Sequence, residues 1–209
     1  MDVEIITFDY DEDARFNREF IALVTKYFKD NPLNIILPVP EEVLLADFRG
    51  KRILLATCNK RAVGAAAGSI MTYAEFKSRP IYAGNEKMSE NVNRTRKFLS
   101  ALTPDDLSAI GINSGTLICE GAAAVVAPEA RQSDVGTQLL QRSLQLAKSN
   151  KAEFYVVHVV NSVARRICEK YGFQVVKTVL FRNYFKNDPD VLTRLDPKHE
   201  AAFFMIKKL

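Results

Sequence analysis

Apolar and polar residues alternate from Val3 to Phe8, the two-residue period of an edge or half-buried strand. From about Asp13 the period changes. Phe16, Phe20, Leu23, Val24, Tyr27 and Phe28 then recur at helical spacing, one stripe of an amphipathic helix that should stop at Lys29-Asp30-Asn31-Pro32, where proline forbids continuation. Pro38 and Pro40 frame a turn, and Glu41 to Phe48 reads as a second, short helix. Arg52 to Asn59 and Ala62 to Tyr73 read as strands joined by a hairpin turn at Asn59-Lys60-Arg61. Gly64 and Gly68 lie inside the second of them, where a bulge or the close approach of another group would call for them.

Residues 74 to 114 are polar at their centre (NEKMSENVNRTRK), with one firm start signal at Thr103-Pro104-Asp105-Asp106, an N-cap followed by proline at the first helical position. One or two inserted helices covering one end of the sheet are expected there, with disorder as the competing account. The stretch from Gly115 to Asn150 organises the chain. A buried strand over Thr116 to Val126 passes through the turn Ala127-Pro128-Glu129-Ala130-Arg131 into a helix whose apolar residues Val135, Leu139, Leu140, Leu144 and Ala147 share one face. Such a joint presents free N–H groups and a positive dipole end that suit a phosphate. Spacing alone is a weak signal, because many strand–turn–helix joints bind nothing.

Glu153 to Val160 (EFYVVHVV) is a nearly continuous apolar run, typical of a strand buried on both faces. Asn161 caps a helix through Lys170, ended by Tyr171-Gly172-Phe173 with Gly172 as a left-handed C-cap. Gln174 to Asn183 reads as a strand, Lys186 to Lys198 as a polar loop, and Ala201 to Lys208 as the last strand. The pattern implies an α/β fold with a mixed sheet of about seven strands and helices on both faces. A single domain over 1–209, with a helical insertion at about 74–114, is expected.

The hydrophobic content of 47% and charged content of 26% are those of a globular protein, and no apolar run approaches the ~20 residues needed to span a bilayer. The net charge of +4 is modest, and the basic residues are not interleaved with aromatics, so nucleic acid is not required as a partner. A small anionic ligand would suffice. Cys58, Cys119 and Cys168 are few and scattered, which indicates neither a disulfide framework nor a metal site. The acidic, alternating start MDVEIITFDYDED is unlike a secretory or mitochondrial leader, and a cytoplasmic home is expected.

Two segments in register then sharpen the reading. VVAPEARQSDVGTQLL resembles the strand–loop–helix pattern V-x-P-x-x-R/Q-x-x-G-x-G/A, followed by paired leucines, of the GNAT superfamily of acyl-CoA-dependent N-acetyltransferases. NSVARRICEKYGF, Asn161 to Phe173, is similar to the N-x-x-A-x-x-x-y-E-K-x-G-F of the same superfamily. Phe28-Lys29-Asp30-Asn31-Pro32-Leu33-Asn34 looks like the F-x-D-E-P-L-N signature of the invertebrate arylalkylamine branch, which acetylates dopamine and serotonin. Phe181-Arg182-Asn183-Tyr184 and His199 to Leu209 resemble that branch too.

The resemblance implies acetyl-CoA as co-substrate and transfer of its acyl group to a small primary amine. It places Arg131, Gln132, Ser133, Asp134, Val135, Gly136 and Thr137 at the pyrophosphate, and Val125 and Val126 along the pantetheine arm and thioester carbonyl. Asn161 and Arg165 would flank the other side of the CoA. Transfer needs a base for the amine, backbone donors for an oxyanion, and an acid for the leaving thiolate.

Three departures stand out. Asp134 occupies a glycine position, where its charge opposes the pyrophosphate unless the side chain turns outward or caps the following helix; capping is the favoured reading. Asn31 replaces the glutamate proposed as base in the arylalkylamine branch. Cys168 stands where many superfamily members keep an acidic tyrosine, and Val160 and Ala164 replace that branch's serines. The substitutes are Glu120, on the strand leading to the acyl-CoA site, Asp30, acting through a water, and Cys168 as the acid. His158, within a buried apolar strand, is read as structural, and His199 stays open. The expectation is an N-acetyltransferase for a small amine, an arylalkylamine by resemblance only, acting as monomer or homodimer. A catalytically silent CoA-binding relative and a protein or peptide acetyltransferase are the rivals.

Overall fold

In the computed structural model, which describes residues 2–11, 14–79 and 89–209, seven strands join in one sheet: β1 (Glu4–Asp9), β2 (Arg52–Cys58), β3 (Arg61–Thr72), β4 (Leu117–Val126), β5 (Phe154–Val159), β6 (Gln174–Leu180) and β7 (Ala201–Lys208). Their spatial order is β1-β2-β3-β4-β5-β7-β6. Every neighbouring pair is antiparallel except β4 and β5. These two run parallel from Ile118↔Phe154 to Gly121↔Val157 and then part, leaving residues 122–126 of β4 without a β5 partner. The register of β3 with β4 slips at Ala67/Gly68, just where the parting begins. A Cβ on Gly68 would stand 2.8 Å from the carbonyl oxygen of Glu120, so only glycine lets the strands approach there.

The helices are α1 (Ala14–Tyr27), α2 (Pro32–Ile36), α3 (Glu41–Ala46), α4 (Tyr73–Ser78), α5 (Glu90–Leu102), α6 (Val135–Ser149), α7 (Ser162–Lys170), α8 (Phe181–Tyr184) and α9 (Pro189–Thr193). Alternation along the strands divides them between the two faces. On one face Phe20 and Leu23 of α1 pack against Ile53, Leu55 and Ala65, while Phe98 and Leu102 of α5 pack against Ile118, Val156 and Phe204. On the other, Leu139 of α6 meets Leu54 and Ala56, and Cys168 of α7 meets Tyr155, Phe203 and Met205. Alternating residues of β4 therefore serve opposite sides: Ile118 faces α5, and Cys119 faces α6.

Several sequence readings are corrected. The first helical run does stop before Pro32, as expected, but Pro32 also begins α2, which was not: Asn31 turns extended (φ −64°, ψ 131°) and its side chain accepts from the Leu33 N–H at 3.0 Å. Thr103 is the C-cap of α5 and not the start of a helix. The insertion's real start signals are the Thr72–Glu75 capping box of α4 and Ser89, whose hydroxyl accepts from Val92 N–H. The strand expected to reach Asn183 turns helical at Phe181, and the polar stretch 186–198 contains α9, capped by Asp188. The expected helix start at Asp13 and residues 80–88 of the insertion lie outside the described residues. Among the described residues no helix is long and apolar enough to cross a membrane.

Replacing the cap tests the new helix start. Asn31→Ala should lower unfolding free energy by about 1 kcal/mol, whereas Asn31→Asp, another good cap, should leave it nearly unchanged. Equal midpoints in urea for Ala and the natural residue would remove the cap's contribution.

Candidate functional site

The parting of β4 and β5 opens onto the turn that leads into α6. β4 ends where the Ala127 N–H donates to Val63 O at 2.9 Å, and a single 3-10 turn, Pro128–Ala130, follows with Ala130 buried. The Ser133 hydroxyl closes on Ala130 O at 2.6 Å, and Arg131 Nε donates to Val126 O at 3.3 Å. Gln132 and Asp134 both adopt left-handed backbone conformations, φ 71° and 59°. The glycine conformation thus persists at 134 although the residue is aspartate, at a cost of roughly 1–2 kcal/mol.

Asp134 does not cap α6: its side chain accepts no helix N–H. A capping side chain reaches the second or third helical N–H from an extended backbone, and a left-handed residue directs it elsewhere. Val135, Gly136 and Thr137, the first residues of α6, therefore have N–H groups with no acceptor four residues back inside the helix. Such N–H groups at a helix N-terminus, with the positive end of its dipole, are suited to an anion. Beside it the edge of β4 from 122 to 126, including Val125 and Val126, faces the gap without a strand partner.

Across the gap, Asn161 begins α7. Its side chain accepts from Ala164 N–H at 2.7 Å, which fixes the strand–helix joint. Arg165 is engaged locally, with Nε 2.8 Å from Glu169 Oε1 and its guanidinium 4.3 Å from the Phe203 ring centroid.

The three side chains offered for proton transfer are not brought together. Glu120, 5% exposed, lies on the α5 side of β4, where Arg79 Nη2, just past α4, approaches Oε2 at 2.6 Å. Arg79 Nη1 also reaches the hydroxyl of Ser69, the cross-strand neighbour of Glu120, at 3.5 Å. Cys168 lies on the opposite face, buried in the α7 cluster, with its thiol pushed up to about 11 by burial and then by Glu169. Asp30 is exposed on the short 3-10 turn Phe28–Asp30, next to the capping Asn31.

His158 has a defined setting of its own. It lies on β5 one residue past the last β4–β5 pair, on the face that carries Glu120. Its Nε2 is 2.9 Å from Thr103 Oγ1, and the Thr103 hydroxyl donates its own hydrogen to Leu99 O at 2.9 Å. The threonine has no second hydrogen to give, so Nε2 must carry the N–H and Nδ1 the lone pair. Phe76 stacks on the ring at 6.2 Å and Phe204 meets it edge-on at 5.1 Å. Burial, and then the Arg79 charge, push its pKa down to about 4. His199 is also lowered by burial, and its Nδ1 is buried without a partner among the described residues. Arg79 and Thr103, which set the state of His158, carried no local signal: each meets its partner across more than 40 residues.

The depressed pKa makes stability depend on pH. The unfolded chain takes up the His158 proton near 6.5 and the folded chain only near 4, so the stability present above about 6.5 is lost as pH falls towards 4. In His158→Gln, which does not titrate, the midpoint of urea unfolding should fall less over that window than in the natural protein. Identical pH dependence in the two would sink the assignment.

No family model matches the chain, and no curated protein sequence does. Solved structures do match over the full chain. An agmatine N-acetyltransferase mutant is 17% identical with a TM-score of 0.79, and 100% of each chain is covered. Arylalkylamine N-acetyltransferase 2 from Aedes aegypti is 19% identical with a TM-score of 0.78, over 100% of this chain and 99% of that one. Arabidopsis thaliana Naa50, in complex with the bisubstrate analogue CoA-Ac-MVNAL, is 16% identical with a TM-score of 0.52, over 100% of both. The seven-stranded sheet, its single parallel pair and the turn into α6 are the fold of the GNAT N-acetyltransferases.

Proposed function

We propose that the protein is an acetyl-CoA-dependent N-acetyltransferase acting on a small primary amine. The observation that carries this is the unpaired edge of β4 running into a left-handed turn at a helix N-terminus. An extended pantetheine arm fits the edge through Val125 and Val126, and a pyrophosphate fits the N–H groups from Gln132 to Thr137, with the Arg131 side chain beside them, its N–H being given to Pro128 O. Asn161 and Arg165 border the opposite wall. Acetyl-CoA, when bound, supplies the acyl group as an activated thioester.

An arylalkylamine is the favoured acceptor. A polyamine needs carboxylates for its distal charges, and Glu120, buried on this face, is already neutralised by Arg79. Phe76 and Phe204, buried beside His158, make its surroundings apolar instead. The three cysteines are free, which agrees with a reducing cytoplasm. Glu120, Asp30 and Cys168 stay candidates for proton transfer. The second reading, a silent CoA-binding protein, is favoured by the conversion of Asn31 into a helix cap and of Glu120 into an ion pair.

Calorimetric titration with acetyl-CoA and assay of free CoA release with tryptamine, tyramine and agmatine separate the two. Binding with turnover of an aryl amine supports the enzyme; binding with no turnover supports the silent reading; no binding at high micromolar acetyl-CoA sinks both. Asp134→Asn keeps a residue tolerant of the left-handed backbone and removes the charge, so it should tighten acetyl-CoA roughly fivefold, about 1 kcal/mol. Unchanged affinity would mean the carboxylate points away from the phosphates.

A further inference from the structure

We propose that His158 is the catalytic base of this site, taking the proton of the acceptor amine at Nδ1. The inference rests on the acetyltransferase reading and adds to it the residue that does the work of the missing glutamate.

Position is the first argument. β4 and β5 stay paired through Gly121↔Val157, so His158 is the first residue of β5 beyond the parting, beside the open edge. An acyl group threaded along that edge reaches the α5 face at this point.

The second argument is the fixed tautomer. Thr103 gives its only hydroxyl hydrogen to Leu99 O and so accepts from Nε2, which leaves the lone pair on Nδ1. Nδ1 has no partner among the described residues. Thr103 itself is tethered, since Lys177 Nζ donates to its carbonyl at 3.2 Å and Lys77 Nζ to that of Pro104 at 3.1 Å. Thr103 is thus a positioning residue: it orients the imidazole without touching substrate.

The third argument is elimination among the site's own groups. Glu120 is bound to a guanidinium, and Cys168 is on the opposite face. The groups facing the ring are Arg79, Thr103 and the rings of Phe76 and Phe204. Arg79 already carries its proton, and the Thr103 hydroxyl and the two phenyl rings have no basic lone pair, so the imidazole is the base among the groups facing this point. Burial and Arg79 keep it unprotonated, as a base must be.

The step balances with one group. As the amine nitrogen bonds to the acyl carbon, its proton passes to Nδ1; as the carbon–sulfur bond breaks, Nδ1 returns that proton to the sulfur. The products are the amide and the free thiol, and no separate acid at Cys168 is needed.

His158→Gln is the test, because its amide nitrogen keeps a donor near Thr103 while the Nδ1 lone pair is lost. With tryptamine or tyramine, kcat/KM should fall roughly 10²–10⁴-fold while the calorimetric affinity for acetyl-CoA stays the same. Full turnover in His158→Gln overturns the proposal and leaves the acetyltransferase reading standing; no turnover by the natural protein overturns both. Should the variant fold poorly, nitrogen-15 NMR of the natural protein decides. The Nδ1 resonance of His158 should show an unprotonated nitrogen near neutral pH and move when tryptamine is added to the CoA-bound protein. An Nδ1–H tautomer, or a resonance unmoved by amine at saturation, overturns the assignment.

Discussion

The separation of β4 from β5 after four paired residues is the constraint on which the rest of the molecule depends. Parallel strands ordinarily continue in register, because each added pair closes further hydrogen bonds. Here continuation is prevented from one side by the register slip at Ala67/Gly68, which redirects β4, and from the other by the capped turn at Asn161, which carries the chain off into α7. Gly68 is indispensable to the first device, since any side chain would collide with the carbonyl of Glu120. The unpaired edge is hydrogen-bonding capacity left open inside a sheet that otherwise satisfies itself. A ligand with an extended amide-bearing arm is the natural occupant.

Residues that differ from the family pattern have been taken over by structure. Asn31 terminates one helical segment and starts the next, a task that glutamate performs poorly because its longer side chain is not a good N-cap. Asp134 holds a left-handed conformation that glycine adopts freely, so the backbone of the turn is one a glycine could also form. Cys168 fills a packed cluster between Tyr155 and Phe203, where burial keeps the thiol protonated. In each case the side chain has a structural setting of its own in this chain. A likeness of fold is therefore compatible with a different assignment of proton transfer.

Most of the architecture was legible because it is written locally. The two-residue period of β1, the stripes of α1 and α6, the Asn59-Lys60 hairpin turn and the left-handed Gly172 all depend on neighbours in sequence. The misreadings arose where one local signal serves two geometries. Thr103-Pro104-Asp105 fits a helix start, yet the same threonine ends α5 by donating back to Leu99 O, and the proline follows a helix as readily as it opens one. Pro32 serves both geometries at once, since the first helical run stops before it and α2 begins on it. The surroundings of Glu120 and His158 were illegible for a different reason. Arg79 meets Glu120 over 41 residues and Thr103 meets His158 over 55, and no period or motif encodes such pairings. His158 looked structural because an apolar strand surrounds it in sequence, although the strand's partner leaves one residue before it.

Arg79 binds these features into one electrostatic unit. Its guanidinium compensates the buried carboxylate of Glu120, and the same positive charge disfavours a proton on His158. Burial and then the Arg79 charge keep the histidine neutral, and the Arg79–Glu120 ion pair requires that the end of α4 be held against the sheet. That placement comes from the Thr72–Glu75 capping box at the helix start and from Lys77, which reaches across to the Pro104 carbonyl beside Thr103. The two sides of the imidazole are accordingly set by a single mechanical connection: α4 delivers the charge that keeps it neutral, and the end of α5, tied to α4, delivers the hydroxyl that fixes its tautomer.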